Sequence, residues 1–282
     1  MATSPVARPA PALQTASRRT ALVTGASSGI GAAFAERLAH DGHDLIVVAR
    51  RRDRLETLAA RLRAEEGVAV DVLAADLTVP SELLAVERAI GACATLAFLI
   101  NCAGVGGYMP FVTLPLERTE ELLRLQVVAP TRLTRTALPG MIARGRGAVV
   151  NVSSGLAFSG ALPAPPLPHR AVYASAKTYI NTFSEILADE LKGTGVLVQA
   201  VCPGIVRTEF HAVAGLDVSH VPVMLEPEEV VSASLAALEL GEVVCVPALK
   251  DLGPLADLER ARARVFEGVR TSTLADRYKD PS

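Results

Sequence analysis

Tyr173 and Lys177 stand four residues apart in "YASAK", with only Ala174, Ser175 and Ala176 between them. On a helix, positions i and i+4 share one face, so the phenol and the ammonium can point at one spot with nothing to crowd them. A free phenol titrates near pH 10, too high for a good base at neutrality. A nearby ammonium favours the phenolate and lowers that value. The pair is therefore suited to proton transfer, or, on the blander reading, is one Tyr and one Lys on a solvated helix face.

A second chemical signal is "TGASSGIG", Thr24 to Gly31, placed after an apolar run and before a helical one. Gly25 permits a tight turn, Gly29 a close backbone approach and Gly31 helix packing. Together with Ser27, Ser28 and Ile30 they form a turn whose free N–H groups favour a pyrophosphate. The spacing is G-x-x-x-G-x-G. The next apolar run ends "VVARRR". An NAD site usually places an acid there for the ribose 2′-hydroxyl. This chain offers Arg50 and Arg51, and a guanidinium pairs with a 2′-phosphate. NADP(H) is the favoured cofactor, with NAD(H) as the alternative; a solvated basic helix start is the reading without a ligand.

The elements that must position these residues alternate along the chain. "TALVT", "DLIVVAR", "VAVDVLAAD", "TLAFLINCAG", "GAVVNVSS", "VLVQAVCPG" and "EVVCVPAL" are short apolar runs that read as buried strands. Between them lie segments of helical period. Asp53 and Glu56 suit a capping box at one helix start, and Gly67 suits its end. Strands apolar throughout belong to a parallel sheet covered on both faces. The fold expected is α/β: a doubly wound parallel sheet of Rossmann type in three layers, as a single domain over residues 19–282. Residues 1–18, rich in Pro, Ala and Ser, are expected to be a disordered tail. No signal-peptide core or transit helix is visible in them.

"TGASSGIG", "NCAG" (Asn101 to Gly104), "NVSS" (Asn151 to Ser154), "YASAK" and "CPGIVRT" (Cys202 to Thr208) occur in one order. Together they resemble the short-chain dehydrogenase/reductases, from about Arg19 to the end. The resemblance implies that Tyr173 gives a proton to a carbonyl or takes one from an alcohol, that Lys177 also holds the nicotinamide ribose, and that Ser154 hydrogen-bonds the substrate oxygen. It assigns Asp76 to the adenine amino group, although a helix N-cap suits that residue as well. Asn101 tethers backbone, Gly104 lines the cofactor and Thr208 contacts the carboxamide after the Pro203–Gly204 turn. Leu77, Ala103 and Val206 are assigned to the cofactor by the same resemblance, and Cys102 is a small filler.

The chain departs from the family pattern in two places. The usual Asn of the helix after "NCAG" is replaced by Gln126, and Pro130 four residues later has no N–H to give the Gln126 carbonyl. We expect a kink there that frees this carbonyl for a water relay to Lys177. Ser154 and Tyr173 are also unusually far apart, with the extra length in "APPLPH". That stretch is either a wall of the substrate site or a tolerated surface loop.

Between Arg207 and Lys250 there is no Lys or Arg, and a substrate lid is expected over about 208–225, within mostly apolar sequence. Neutral hydrophobic ketones, aldehydes or secondary alcohols are therefore the expected small-molecule partners. Net charge is −2 in 282 residues, which gives no electrostatic case for nucleic acid or a membrane surface. No run approaches the length of a membrane span. Cys93, Cys102, Cys202 and Cys245 show neither disulfide nor metal spacing, so no metal is expected and the thiols read as reduced, buried and cytoplasmic. His40 and His43 read as helix-end and turn residues; His169 and His211 are candidates for the substrate site. "NVSSG" is not a hydrolase elbow. A homodimer or homotetramer is implied by the resemblance, as is the choice of enzyme over a regulator that has lost catalysis.

Overall fold

The computed structural model describes residues 18–219 and 221–279. Residues 1–17 of the expected tail lie outside the described residues. The seven apolar runs form strands β1 (Thr20–Thr24), β2 (Asp44–Ala49), β3 (Val70–Ala74), β4 (Leu96–Asn101), β5 (Gly147–Val152), β6 (Val196–Val201) and β7 (Val244–Cys245). They pair in parallel in the order β3-β2-β1-β4-β5-β6-β7. The winding direction reverses between β1 and β4, which opens a crevice beyond the strands' C-terminal ends.

Alternate strand residues feed two cores, because successive side chains point to opposite faces. Ala21 and Val23 of β1 join one core with Phe34 and Leu38 of α1 (Gly29–His40), Leu55 and Leu62 of α2 (Arg52–Glu66), and Val230 of α8 (Pro227–Glu239). Leu22 joins the other. That core takes Val86 of α3 (Pro80–Ala92), Leu122 of α4 (Leu116–Leu123), Leu133 and Met141 of α5 (Ala129–Ala143) and Leu187 of α6 (Ala171–Glu190). The three Rossmann layers follow, and both faces of the sheet are covered as the apolar strands require.

Two local expectations are corrected. The capping box at Asp53 does not form: α2 begins at Arg52 with Arg51 as its N-cap, and no side chain caps it. Glu56 instead meets Arg52 at 3.4 Å, an i,i+4 ion pair. Gly67 does close the helix, at φ 63°. Asp76 is not the cap of α3, whose N-cap is Val79. Its Oδ1 accepts from Thr78 N at 2.9 Å and Thr78 Oγ1 at 2.7 Å, an Asx-type turn that precedes the helix.

Between α4 and α5 the chain makes a π-helical turn, Arg124–Val128, in which Ala129 N donates to Arg124 O. Pro130 is the second residue of α5. Its missing N–H leaves the Gln126 carbonyl without its helical donor, and the extra residue of the π turn absorbs the mismatch. A π turn stands where the kink was expected.

Residues 208–225 leave the sheet after β6. They include the short helix α7 (Phe210–Val213) and return through a parallel bridge between Val206 and Leu225. The described residues up to Pro247 form one compact unit, and those from Ala248 on form a second, smaller one. The second holds α9 (Gly253–Gly268), none of whose residues is buried. No apolar β-branched run follows "EVVCVPAL", so the sheet ends at β7.

Candidate active site

Tyr173 and Lys177 occupy the first two turns of α6 and are only 5% and 6% exposed, which rules out a solvated helix face. Lys177 Nζ lies 5.6 Å from the Tyr173 ring centroid and donates to Val152 O at 2.9 Å. The adjacent Ser153 Oγ donates to Lys177 O at 3.1 Å, fixing α6 to the end of β5. Ser154 follows, and its Oγ accepts from Leu156 N at 3.1 Å at the head of a 3-10 turn. Tyr108, in the loop after β4, tilts its ring against that of Tyr173 at 5.1 Å between centroids.

The electrostatics correct the simplest expectation for the pair. Burial raises the Tyr173 phenol above its ordinary value, and hydrogen bonds with Tyr108 and Ser154 pull it only partly back. Lys177 sits over the ring and is held by a carbonyl, so it does not overcome the desolvation. Burial brings Lys177 itself down to about 8, opposed by Cys102 and Cys202. Those two thiols are pushed up to about 12 by burial and are neutral. At neutral pH the cluster holds a protonated phenol, suited to giving a proton.

A cavity of about 480 Å³ runs past this cluster beyond the sheet. At one end is the glycine turn. Gly25 adopts φ +70°, and a Cβ there would lie 2.9 Å from Ala103 backbone; a Cβ on Gly31 would collide with Gly25 O. The turn therefore packs on "NCAG" and on its own helix with no room for side chains, and α1 begins at Gly29 with its amide groups toward the cavity end. Arg51 donates to Ser27 Oγ (3.1 and 2.8 Å) and to Ser28 Oγ (2.8 Å). Arg50 points to the other rim, 3.8 Å from Asp76 Oδ2 and 3.5 Å from Glu121 Oε1. Hydroxyls, a guanidinium and a helix N-terminus around a backbone cradle fit a phosphate-bearing dinucleotide in size and in charge.

Most sequence-predicted residues meet in this one cavity. From the turn come Gly25, Ser27, Ser28, Gly29 and Ile30; from the β2 and β3 ends come Arg50, Arg51, Asp76 and Leu77. Ala103, Gly104 and Ser154 line it beside Tyr173 and Lys177, and Pro203, Gly204, Val206 and Thr208 close it from the β6 side. Gly31 is buried behind the turn and does not line it. Asn101 and Gln126 line a separate cavity of about 10 Å³, with Pro130, Asn151 and Lys177. Asn101, expected to tether backbone, bonds side chains through its amide nitrogen. Its Nδ2 bridges Asn151 Oδ1 (2.8 Å) and Thr134 Oγ1 (3.2 Å), while Thr24 Oγ1 accepts from Cys102 N and Ala103 N. Gln126 is 2% exposed, and its Nε2 donates to Val105 O at 3.0 Å. The Oε1 of Gln126 and Oδ1 of Asn101 are buried without a protein partner. Two orphan acceptors around a space of one water's size, next to Lys177, suit a single bridging water.

Of the histidines, His211 lines the large cavity while His169 is exposed on the insertion. His40 ends α1, and His43 is buried against Phe98. Among the described cysteines all four are free; Cys202 and Cys245 are buried, Cys93 and Cys102 half-buried. Arg170, which sequence alone left able to reach the substrate, is fully engaged. It donates to Ser159 Oγ (2.7 Å) and to the carbonyls of Ser159, Leu162 and Pro168. It thereby clamps the "APPLPH" insertion, whose Leu167 and Pro168 line the cavity.

Sequence reasoning missed Tyr108 and Glu209. Tyr108 stands in a Gly-rich loop without a pattern of its own, and only the packing of that loop over α6 shows it. Glu209, at the start of the lid, meets Arg51 and, at 2.9 and 3.0 Å, Arg54. Its carboxyl is held at about 2, first by the Arg54 hydrogen bonds and then by Arg51. Its sequence signal was an acid beside a lid otherwise poor in charge.

Residues 19–217 match the family model described as short chain dehydrogenase. A solved short-chain dehydrogenase from Sphingobium yanoikuyae in complex with NADPH is 42% identical, with a TM-score of 0.86 over 92% of this chain and 100% of that one. The bulky-bulky ketone specific alcohol dehydrogenase from Comamonas testosteroni is 35% identical, with a TM-score of 0.82 over 92% of this chain and 98% of that one. Among curated proteins, the very-long-chain 3-oxoacyl-CoA reductase of Mus musculus is 31% identical over 67% of this chain and 60% of its own length. The chain spans about three fifths of the first curated relatives it matches.

Proposed function

The chain belongs to the short-chain dehydrogenase family, oxidoreductases that act on CH–OH and C=O groups with a nicotinamide dinucleotide, and from that premise we propose that it is an NADP(H)-dependent reductase of neutral, bulky ketones. The observation that carries this reading is the distribution of charge along the cavity. Among the described lining residues the cations are Arg50, Arg51 and Lys177. Arg51 stands by the glycine turn, with two serine hydroxyls, where a 2′-phosphate finds charge-assisted partners. The walls around Tyr173 on the other side are Tyr108, Leu156, Leu167, Phe210 and Leu216, and offer no cation to a carboxylate or phosphate. The similarity to the bulky-bulky ketone specific alcohol dehydrogenase supports the same class.

A bound nicotinamide supplies the hydride; the chain's residues do the rest. Ser154 and Tyr173 hydrogen-bond the carbonyl oxygen, where negative charge develops. Tyr173 is protonated at neutral pH and gives its proton to that oxygen. Lys177, at about 8, sits beside the small polar cavity and can restore the proton through one water held by Asn101 Oδ1 and the main-chain carbonyl of Gln126, which Pro130 leaves without its usual helical donor. Leu167 and Pro168 wall the cavity and help to exclude bulk water from the reacting oxygen. Four free thiols suit a reducing, cytoplasmic setting. The exposed Tyr179 and Ile186 on α6 suit a homo-oligomer formed through that helix.

The test is NADPH consumption with alkyl aryl and diaryl ketones against a long-chain 3-oxoacyl-CoA. Turnover of the ketones supports the reading. Efficient turnover of the acyl-CoA and none of the ketones would replace it with the chemistry named for the mammalian relative.

A further inference from the structure

Glu209 is the second residue past the neck of the lid, where Arg207 N donates to Leu225 O. Its carboxylate spans Arg51 and Arg54, and Arg51 is the same side chain that donates to Ser27 and Ser28 at the glycine turn. The next residue, Phe210, packs its ring 6.2 Å from that of Tyr173. One residue of the chain therefore holds the phosphate-side arginine while its neighbour covers the catalytic phenol. Arg51 and Glu209 are 39% and 34% exposed, so solvent screens their pair and leaves it weak.

We propose that Glu209 is a displaceable latch: it and the cofactor's 2′-phosphate compete for Arg51, and phosphate binding frees the start of the lid over Tyr173. This rests on the NADP(H) reading above. A phosphate brings two negative charges to a guanidinium that the carboxylate already engages, and like charges repel. Arg54 remains as a partner for Glu209, so its release strands no charge. A ligand without the 2′-phosphate gains nothing from opening the latch, and a ligand shifts an equilibrium only by its differential affinity. Cofactor identity is thereby coupled to the mobility of the substrate chamber.

The probes are adenosine 2′,5′-bisphosphate and 5′-AMP, which differ by that one phosphate. Binding is measured by calorimetry, and backbone hydrogen exchange is followed across 209–216 in the full chain. The bisphosphate should speed exchange in this segment and 5′-AMP should not. Glu209→Gln should exchange fast with or without ligand and bind the bisphosphate about tenfold tighter, the scale of one charge-assisted hydrogen bond. Bisphosphate that binds without changing exchange at 209–216, or equally well in both proteins, overturns the latch and leaves the NADP(H) reading standing. If the bisphosphate binds no better than 5′-AMP, both fall.

Discussion

The Lys177 ammonium faces the ring of Tyr173 at 5.6 Å from its centroid, while its hydrogen bond goes to the Val152 carbonyl. The two residues share a helix face, yet Tyr173 is shifted mainly by its own burial. On the proposed reading the phenol would enter the reaction as an acid, and Lys177 would restore its proton and hold ligand.

Tyr173→Phe should cut ketone reduction by at least about a hundredfold, the scale of lost general acid catalysis. NADPH binding, read by fluorescence, should stay near the wild-type value. Lys177→Ala should weaken both turnover and binding. A Phe variant with most of its activity intact would place the acid elsewhere.

Tyr108→Phe keeps the ring contact and removes one hydroxyl from Tyr173. We expect a loss in kcat of up to about tenfold, the worth of one neutral hydrogen bond, with little change in KM. An unchanged kcat and pH profile would reduce Tyr108 to a wall of the cavity.

Cofactor preference should follow Arg51 more than Arg50. Arg51→Ala should lower the ratio of kcat/KM for NADPH over NADH by about tenfold or more, through loss of a charge-assisted pair. Arg50→Asp should act in the same direction and less strongly, because Arg50 points toward Asp76 and Glu121. The reverse ranking would put the phosphate on the Arg50 rim.

Gln126→Ala keeps the backbone carbonyl and should retain substantial activity. Pro130→Ala supplies the missing helical donor and should slow proton transfer by roughly tenfold, the scale of one hydrogen bond. The solvent isotope effect on kcat should rise with it. Equal rates and isotope effects in wild type and Pro130→Ala would remove the carbonyl from the relay.

Stability should fall above pH 9, where the thiols ionise in the unfolded chain while burial keeps them protonated in the fold. Cys202 is held protonated in the fold, at about 12 against 9.0, so its contribution is complete below pH 9 and is lost as pH rises toward 12. Lys177 acts oppositely: depressed to about 8 from 10.5, it adds stability as pH rises through that window. Urea midpoints under reducing conditions should drop less between pH 9 and 10.5 in Cys202→Ala than in wild type. Parallel curves would contradict the assignment.

Much of this was legible in one dimension. Seven apolar runs, a glycine turn after the first, and an i,i+4 pair on a helix are local patterns; strand pleat, turn sterics and helical period fix them without reference to distant sequence. The loss of a helical donor at Pro130 was equally local, although its form as a π turn was not. What the sequence left open was which side chains meet across the sheet. Arg51 and Glu209 are 158 positions apart, and their pairing exists because β1, β2 and β6 deliver their loops to one end of the same sheet. The same holds for Tyr108 on Tyr173, for the separation of Asn101 and Gln126 from the large cavity, and for Arg170 turning inward to clamp its own loop. Burial decided the charge states: desolvation depends on what surrounds a group in space, and only the packed layers around α6 set it for Tyr173 and Lys177.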